Sequence, residues 1–123
     1  MATILLIDDD AAVRSTVRRM LETAHHAVLE AEDGRTGLKL FEERAPDLVI
    51  TDVIMPDMEG VETLRAIKKL EPAARVIAIS GSRSTSQDVL RFMRTFGAAE
   101  ALEKPFRRQQ LLDAVTRVLA RPA

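Results

Sequence analysis

Three consecutive aspartates, Asp8, Asp9 and Asp10, close an apolar run that begins at Ile4. At ~5 Å and an effective dielectric of about 20, each pair of like charges costs roughly 3 kcal/mol. A chain that only had to fold would gain nothing from such crowding. Further along, Asp52 ends "DLVITD", Ser80 ends "RVIAIS", and Lys104-Pro105 follows "AEALE". Hard oxygen donors in this number suit Mg²⁺ or Mn²⁺, with water in the remaining positions. Such an ion offsets the repulsion and commonly shares phosphate oxygens, which implies an anionic partner. A carboxylate can also attack phosphorus to give an acyl phosphate. Asp52 suits that role, flanked by apolar Val53 and Ile54 on a loop held by Pro56 and Gly60. Phosphoryl transfer needs positioning and charge neutralisation above all, and the Lys104 ammonium and Ser80 hydroxyl can each take a phosphoryl oxygen.

These groups act together only if the fold gathers them. Short aliphatic runs alternate with stretches of helical period. Strands are expected over Ile4–Ile7, Ala27–Ala31, Asp47–Asp52, Arg75–Ser80 and Ala99–Glu103. Between and after them, five helices are expected. Their apolar faces carry Val13, Val17 and Leu21; Leu38 and Phe41; Val61, Leu64 and Ile67; Val89, Phe92 and Phe96; and Leu111, Val115 and Val118. Near-continuous apolar strands alternating with helices argue a parallel sheet covered on both faces. Right-handed crossovers make the doubly wound open sheet the expected topology. Its ligands bind outside the carboxyl ends of the strands, where the order reverses. Asp8, Asp9, Asp52, Ser80 and Lys104 all fall at those ends.

Composition sets the outer limits. The 123 residues fit a single domain spanning 1–123, large enough for a core without covalent staples. With no cysteine, disulfides and thiolate metal sites are excluded. A net charge of −1 offers no global attraction to nucleic acid or membrane. No signal peptide or apolar run of membrane-spanning length stands in the sequence, and a cytoplasmic protein is expected.

Four stretches in register, "LLIDDD", "DLVITDVIMPDMEG", "VIAISG" and "EKPF", resemble the receiver domain of two-component response regulators across essentially the whole chain. The resemblance implies a five-stranded, flavodoxin-like sheet of order 2-1-3-4-5 with five helices. It implies that Asp52 accepts a phosphoryl group from a histidine kinase or histidine phosphotransfer protein. Asp9 and Asp52 would ligate Mg²⁺ through their side chains, Ile54 through its backbone carbonyl, and Asp8 through water. Lys104 would pair with the phosphoryl group, Ser80 would turn toward it, and the Lys104–Pro105 bond would be cis. The signal would leave through the face around the fourth and fifth helices to a downstream output protein. The domain would act on no substrate other than its own aspartate. Ala101 stands where the family usually has an aromatic switch residue, so the response is expected in "GSRSTS" and the start of the fourth helix instead.

Other features have plainer readings. Asp10 is expected to cap the first helix. His25 and His26 sit at a helix end; His25 stands where the family usually has glycine, so the resemblance implies positive φ there. Arg91, Arg94, Arg107 and Arg108 read as solvated helix faces. Gly37 interrupts the second helix at about 1 kcal/mol relative to Ala unless close packing uses it. Two further functions compete with the receiver: a metal-dependent phosphohydrolase with an aspartyl-phosphate intermediate, and a degenerate receiver used only for binding. The first usually carries a second acid two residues after its nucleophile, where Ile54 stands here. The second would have little use for an intact set of acids and lysine.

Overall fold

The computed structural model describes residues 2–52, 59–80, 95 and 97–121, with Glu59 and Ser80 described in their backbone only. Five strands, β1 (Thr3–Ile7), β2 (Ala27–Ala31), β3 (Leu48–Asp52), β4 (Val76–Ser80) and β5 (Glu100–Glu103), form one parallel sheet of order β2-β1-β3-β4-β5. The helices described are α1 (Ala11–Thr23), α2 (Gly34–Arg44), α3 (Glu59–Leu70) and α4 (Arg108–Ala120). The helix expected around Val89–Phe96 lies outside the described residues, apart from Thr95, which is helical.

Side chains alternate between the two faces of a strand, and both faces here are apolar. Ile4 and Leu6 of β1, with Leu48, Ile50, Ile77 and Ile79, meet Val17 and Leu21 of α1 and Leu111 and Val115 of α4. Leu5 and Ile7, with Val49, Val76 and Ala78, meet Leu64 and Ile67 of α3, and Leu38 and Phe41 of α2 pack at the border. Burial on both faces is why the strands read as unbroken apolar runs rather than alternating ones.

Local signals end the elements where the site needs them. Asp10 adopts extended backbone as N-cap of α1, and its Oδ1 accepts from Ala12 N at 2.9 Å and Val13 N at 3.3 Å. One aspartate of the three is thereby accounted for. Asp33 caps α2 the same way, accepting from Thr36 N at 2.7 Å. After α1 the chain turns through His25, with φ 65°, into β2. His26 Nδ1 accepts from Ala2 N at 3.1 Å, which ties the histidines to the N-terminal end of the sheet, away from the aspartates.

Gly37 is used for close packing. A Cβ built there would collide with the Ile7 side chain, lying 2.8 Å from Cγ1, and Ile7 is fully buried. Gly37→Ala should therefore destabilise the domain by up to about 2 kcal/mol: overpacking costs typically 1–3 kcal/mol, against a helix-propensity gain of about 1 kcal/mol. Denaturant midpoints followed by far-UV circular dichroism would check this. A stabilised variant would show that Ile7 yields freely.

Candidate functional site

The strand order reverses between β1 and β3, whose carboxyl ends carry Asp8 and Asp52. Asp52 is the last residue of β3, and Asp8 follows β1 with its N–H still donating to Ala31 O at 3.1 Å. One carboxylate oxygen from each of Asp8, Asp9 and Asp52 lies within 4.8 Å of the others. Asp8 and Asp52 are buried and Asp9 is exposed. Asp8 Oδ1 also accepts from Asp10 N at 2.9 Å, so the cap residue orients the buried acid beside it.

Lys104 follows β5, two strands from β3, a separation of about 10 Å at the usual strand spacing. A long side chain bridges that gap. Its Nζ lies 3.1 Å from Asp8 Oδ2 and 3.1 Å from Asp52 Oδ2. The Lys104–Pro105 bond is cis. Ser80 ends β4 in register with Glu103, at the same edge of the sheet, but its side chain lies outside the described residues, as does all of Ile54. Thus Asp8, Asp9, Asp52 and Lys104 are brought together as expected. The "GSRSTS" segment, Arg91 and Arg94 also lie outside the described residues, whereas Arg107 and Arg108 are exposed as expected.

The charges are unequal, and the pKa directions follow. Burial pushes the Asp8 carboxyl above its ordinary value; the Asp10 N–H opposes this, Asp52 adds to it, and Lys104 again opposes. For Lys104, burial works against the ammonium, yet Asp52 and Asp8 together outweigh it and hold the lysine above its ordinary value. One ammonium faces two carboxylates, so the cation has two ionic partners while the pair of acids keeps a net negative charge. A third carboxylate, Asp9, adds to the deficit. The donor set is all hard oxygen, under-compensated and open to solvent at Asp9, which fits a divalent cation such as Mg²⁺ or Mn²⁺.

Arg14 and Glu30 escaped the sequence reading. Arg14 Nη1 donates to Asp8 O at 2.6 Å and its Nε donates to Glu30 Oε1 at 3.3 Å. The available signal was weak: an arginine in the second turn of the helix that begins beside the aspartates.

A family model for the response regulator receiver domain matches residues 4–116. The chain belongs to this family. The receiver domain is 34% identical to the chemotaxis protein CheY of Bacillus subtilis over 119 residues, covering 94% of this chain and 96% of that protein. It is 36% identical to the DNA-binding transcriptional regulator NtrC of Azospirillum brasilense, covering 96% of this chain and 24% of that larger protein. Among solved structures, a response regulator receiver domain protein from Clostridium thermocellum superposes with a TM-score of 0.90 at 35% identity, over 97% of this chain and 94% of that one. The receiver domain is thus a two-component signalling module. Its acidic pocket of Asp8, Asp9 and Asp52 is of the kind that serves phosphoryl acceptance. Among its described residues no helix is long and apolar enough to cross a membrane.

Proposed function

We propose that this receiver domain takes a phosphoryl group onto Asp52 from a phosphohistidine of a histidine kinase or histidine phosphotransfer protein. A downstream output protein then reads the change. The observation that supports this most directly is the Lys104 ammonium held 3.1 Å from both Asp8 and Asp52 at the switch point of the sheet. A carboxylate oxygen of Asp52 attacks phosphorus, an O–P bond forms as the P–N bond breaks, and the electron pair returns to the imidazole ring. Lys104 then moves its pairing from the bare carboxylates to the phosphoryl oxygens, a charge-assisted contact stronger than a neutral one. Ser80, at the end of β4, donates its hydroxyl to another of those oxygens. Asp8, Asp9, Asp52 and the Ile54 carbonyl would hold Mg²⁺ or Mn²⁺, which supplies charge neutralisation to the phosphoryl group when bound.

The chain works as one receiver domain over residues 1–123 in the cytoplasm, with no direct contact to nucleic acid or membrane. Its only chemistry is that of its own aspartate, phosphorylation and later hydrolysis. Incubation with a small acyl phosphate donor and Mg²⁺, followed by intact-mass analysis, tests this. A lasting gain of a single phosphoryl group is expected. Rapid, sustained donor turnover with no label at any time point would indicate phosphohydrolase chemistry, and neither label nor turnover would indicate a binding-only domain.

Mg²⁺ alone should stabilise the fold, because it binds the folded cluster and not the unfolded chain. At tenfold above its Kd the gain is about 1.4 kcal/mol, or roughly 5 °C in Tm for a domain of this size. The gain should shrink at mildly acidic pH, where Asp8, its carboxyl pushed up by burial, takes a proton instead. A melting temperature indifferent to millimolar Mg²⁺ at neutral pH would contradict the metal assignment.

A further inference from the structure

The Asp8 carbonyl lies just beyond the residues of β1 that pair with β2 and β3. Arg14 covers it, donating from Nη1 at 2.6 Å. The guanidinium is itself held in place. Its Nε donates to Glu30 Oε1 at 3.3 Å, while the other oxygen of Glu30 accepts from Arg18 Nη1, and Arg18 Nε donates to Glu22. Glu30 stands on β2, in register with Leu6 of β1. A continuous set of contacts therefore runs from β2, through α1, to the peptide that joins Asp8 and Asp9. The Arg14 side chain keeps only 16% of its surface exposed. A largely buried arginine is committed to one backbone carbonyl of the acidic pocket and one anchoring carboxylate.

We propose that Arg14 is a positioning residue for the acidic pocket, holding the Asp8–Asp9 peptide plane against the Glu30 anchor so that the two carboxylates converge with that of Asp52. Rotating this plane changes ψ of Asp8 and φ of Asp9 together. The two side chains, one buried against Lys104 and one exposed, would then part. Arginine suits the task because its planar fork presents donors to two acceptors at a set angle, which a lysine ammonium on a flexible stem does not. Groups that orient metal ligands from behind typically change metal affinity by 10–100-fold when removed.

This inference rests on the assignment of Asp8, Asp9 and Asp52 to a divalent cation. The test titrates Mg²⁺ into the metal-free protein well below its melting temperature, following the backbone amide shifts of Asp9 and Asp10. Wild type, Asp9→Asn, Arg14→Met, Arg14→Lys and Glu30→Gln are compared. Arg14→Met should bind Mg²⁺ about tenfold more weakly, Glu30→Gln should lose less, and Arg14→Lys should recover only part of the loss. A purely structural arginine would lower the melting temperature and leave the affinity of the folded protein unchanged. Wild-type affinity in both Arg14→Met and Glu30→Gln overturns the positioning role and leaves the metal assignment standing, and if Arg14→Met does not fold, wild-type affinity in Glu30→Gln suffices. A wild type that does not respond to Mg²⁺, with Asp9→Asn no different, overturns the metal assignment and the role of Arg14 with it.

Discussion

Asp52→Asn should gain no lasting phosphoryl group from an acyl phosphate donor under conditions that label the wild type fully. The amide is nearly isosteric with the carboxylate, but its oxygen is a poor nucleophile and cannot leave a stable acyl phosphate behind. The substitution removes one of two buried carboxylates that share a single ammonium. The fold should therefore survive it, and lost labelling will report lost chemistry rather than unfolding. Circular dichroism of the variant supplies that control. Labelling of Asp52→Asn to the wild-type level would move the phosphoacceptor elsewhere, and peptide mapping of the labelled protein would then locate it.

Lys104→Met should cost roughly 2–3 kcal/mol of folding stability at neutral pH without divalent cation. Removing one partner of a buried ion pair costs about 3–5 kcal/mol. The expected loss falls at or just below the bottom of that range because the Lys104 side chain keeps 20% of its surface exposed and is partly screened by solvent, whereas that of Asp8 keeps none. Methionine preserves the length and bulk of the stem, so the loss should be one of charge. Its pH dependence then has a definite sign. The folded carboxyl of Asp8 already lies above the ordinary 3.8, and removing Lys104 pushes it higher. A folded carboxyl raised above its unfolded value makes stability fall as pH rises from the unfolded value through the folded one, and the loss persists above it. The deficit of the variant should therefore be full at neutral pH and shrink toward mildly acidic pH. On the alkaline side, the contribution of Lys104 in the wild type is full from neutral pH up to about its ordinary 10.5 and is lost as pH rises through its raised folded value. Denaturant unfolding of both proteins at neutral and mildly acidic pH would measure this. A deficit unchanged by pH would assign the loss to packing.

Ala101 bears on how the phosphorylated site signals. It lies in β5 in register with Ala78 and packs at the border of the α2/α3 core layer. A methyl group has no ring to swing between two positions, so a switch built on a relocating aromatic has no counterpart at this position. A response carried by Ser80 and the segment that follows is consistent with such a β5.

Much of this protein could be read along the chain. The strands announced themselves because a parallel sheet buried on both faces demands unbroken apolar runs, and Leu5 and Leu6 are buried on opposite sides for that reason. The aspartates at strand ends were conspicuous because like charges do not cluster without cause. Asp10 was legible as a cap because capping is settled within three residues of sequence. Other features depended on distance through space, which no linear pattern encodes. That one ammonium divides itself between Asp8 and Asp52 follows from the sheet order, which sets Lys104 two strands from β3. The division of the acids into two buried and one exposed follows from how the peptide after β1 is turned. That turn is held by Arg14 from α1 and Glu30 from β2, residues 16 apart that only the crossover brings together. Gly37 is a weakness in its helix by propensity alone, but Ile7 of β1 occupies the space a side chain would need. Local hydrogen bonding and burial period are properties of neighbours in sequence, whereas shared charge, anchored peptides and close approach belong to neighbours in space.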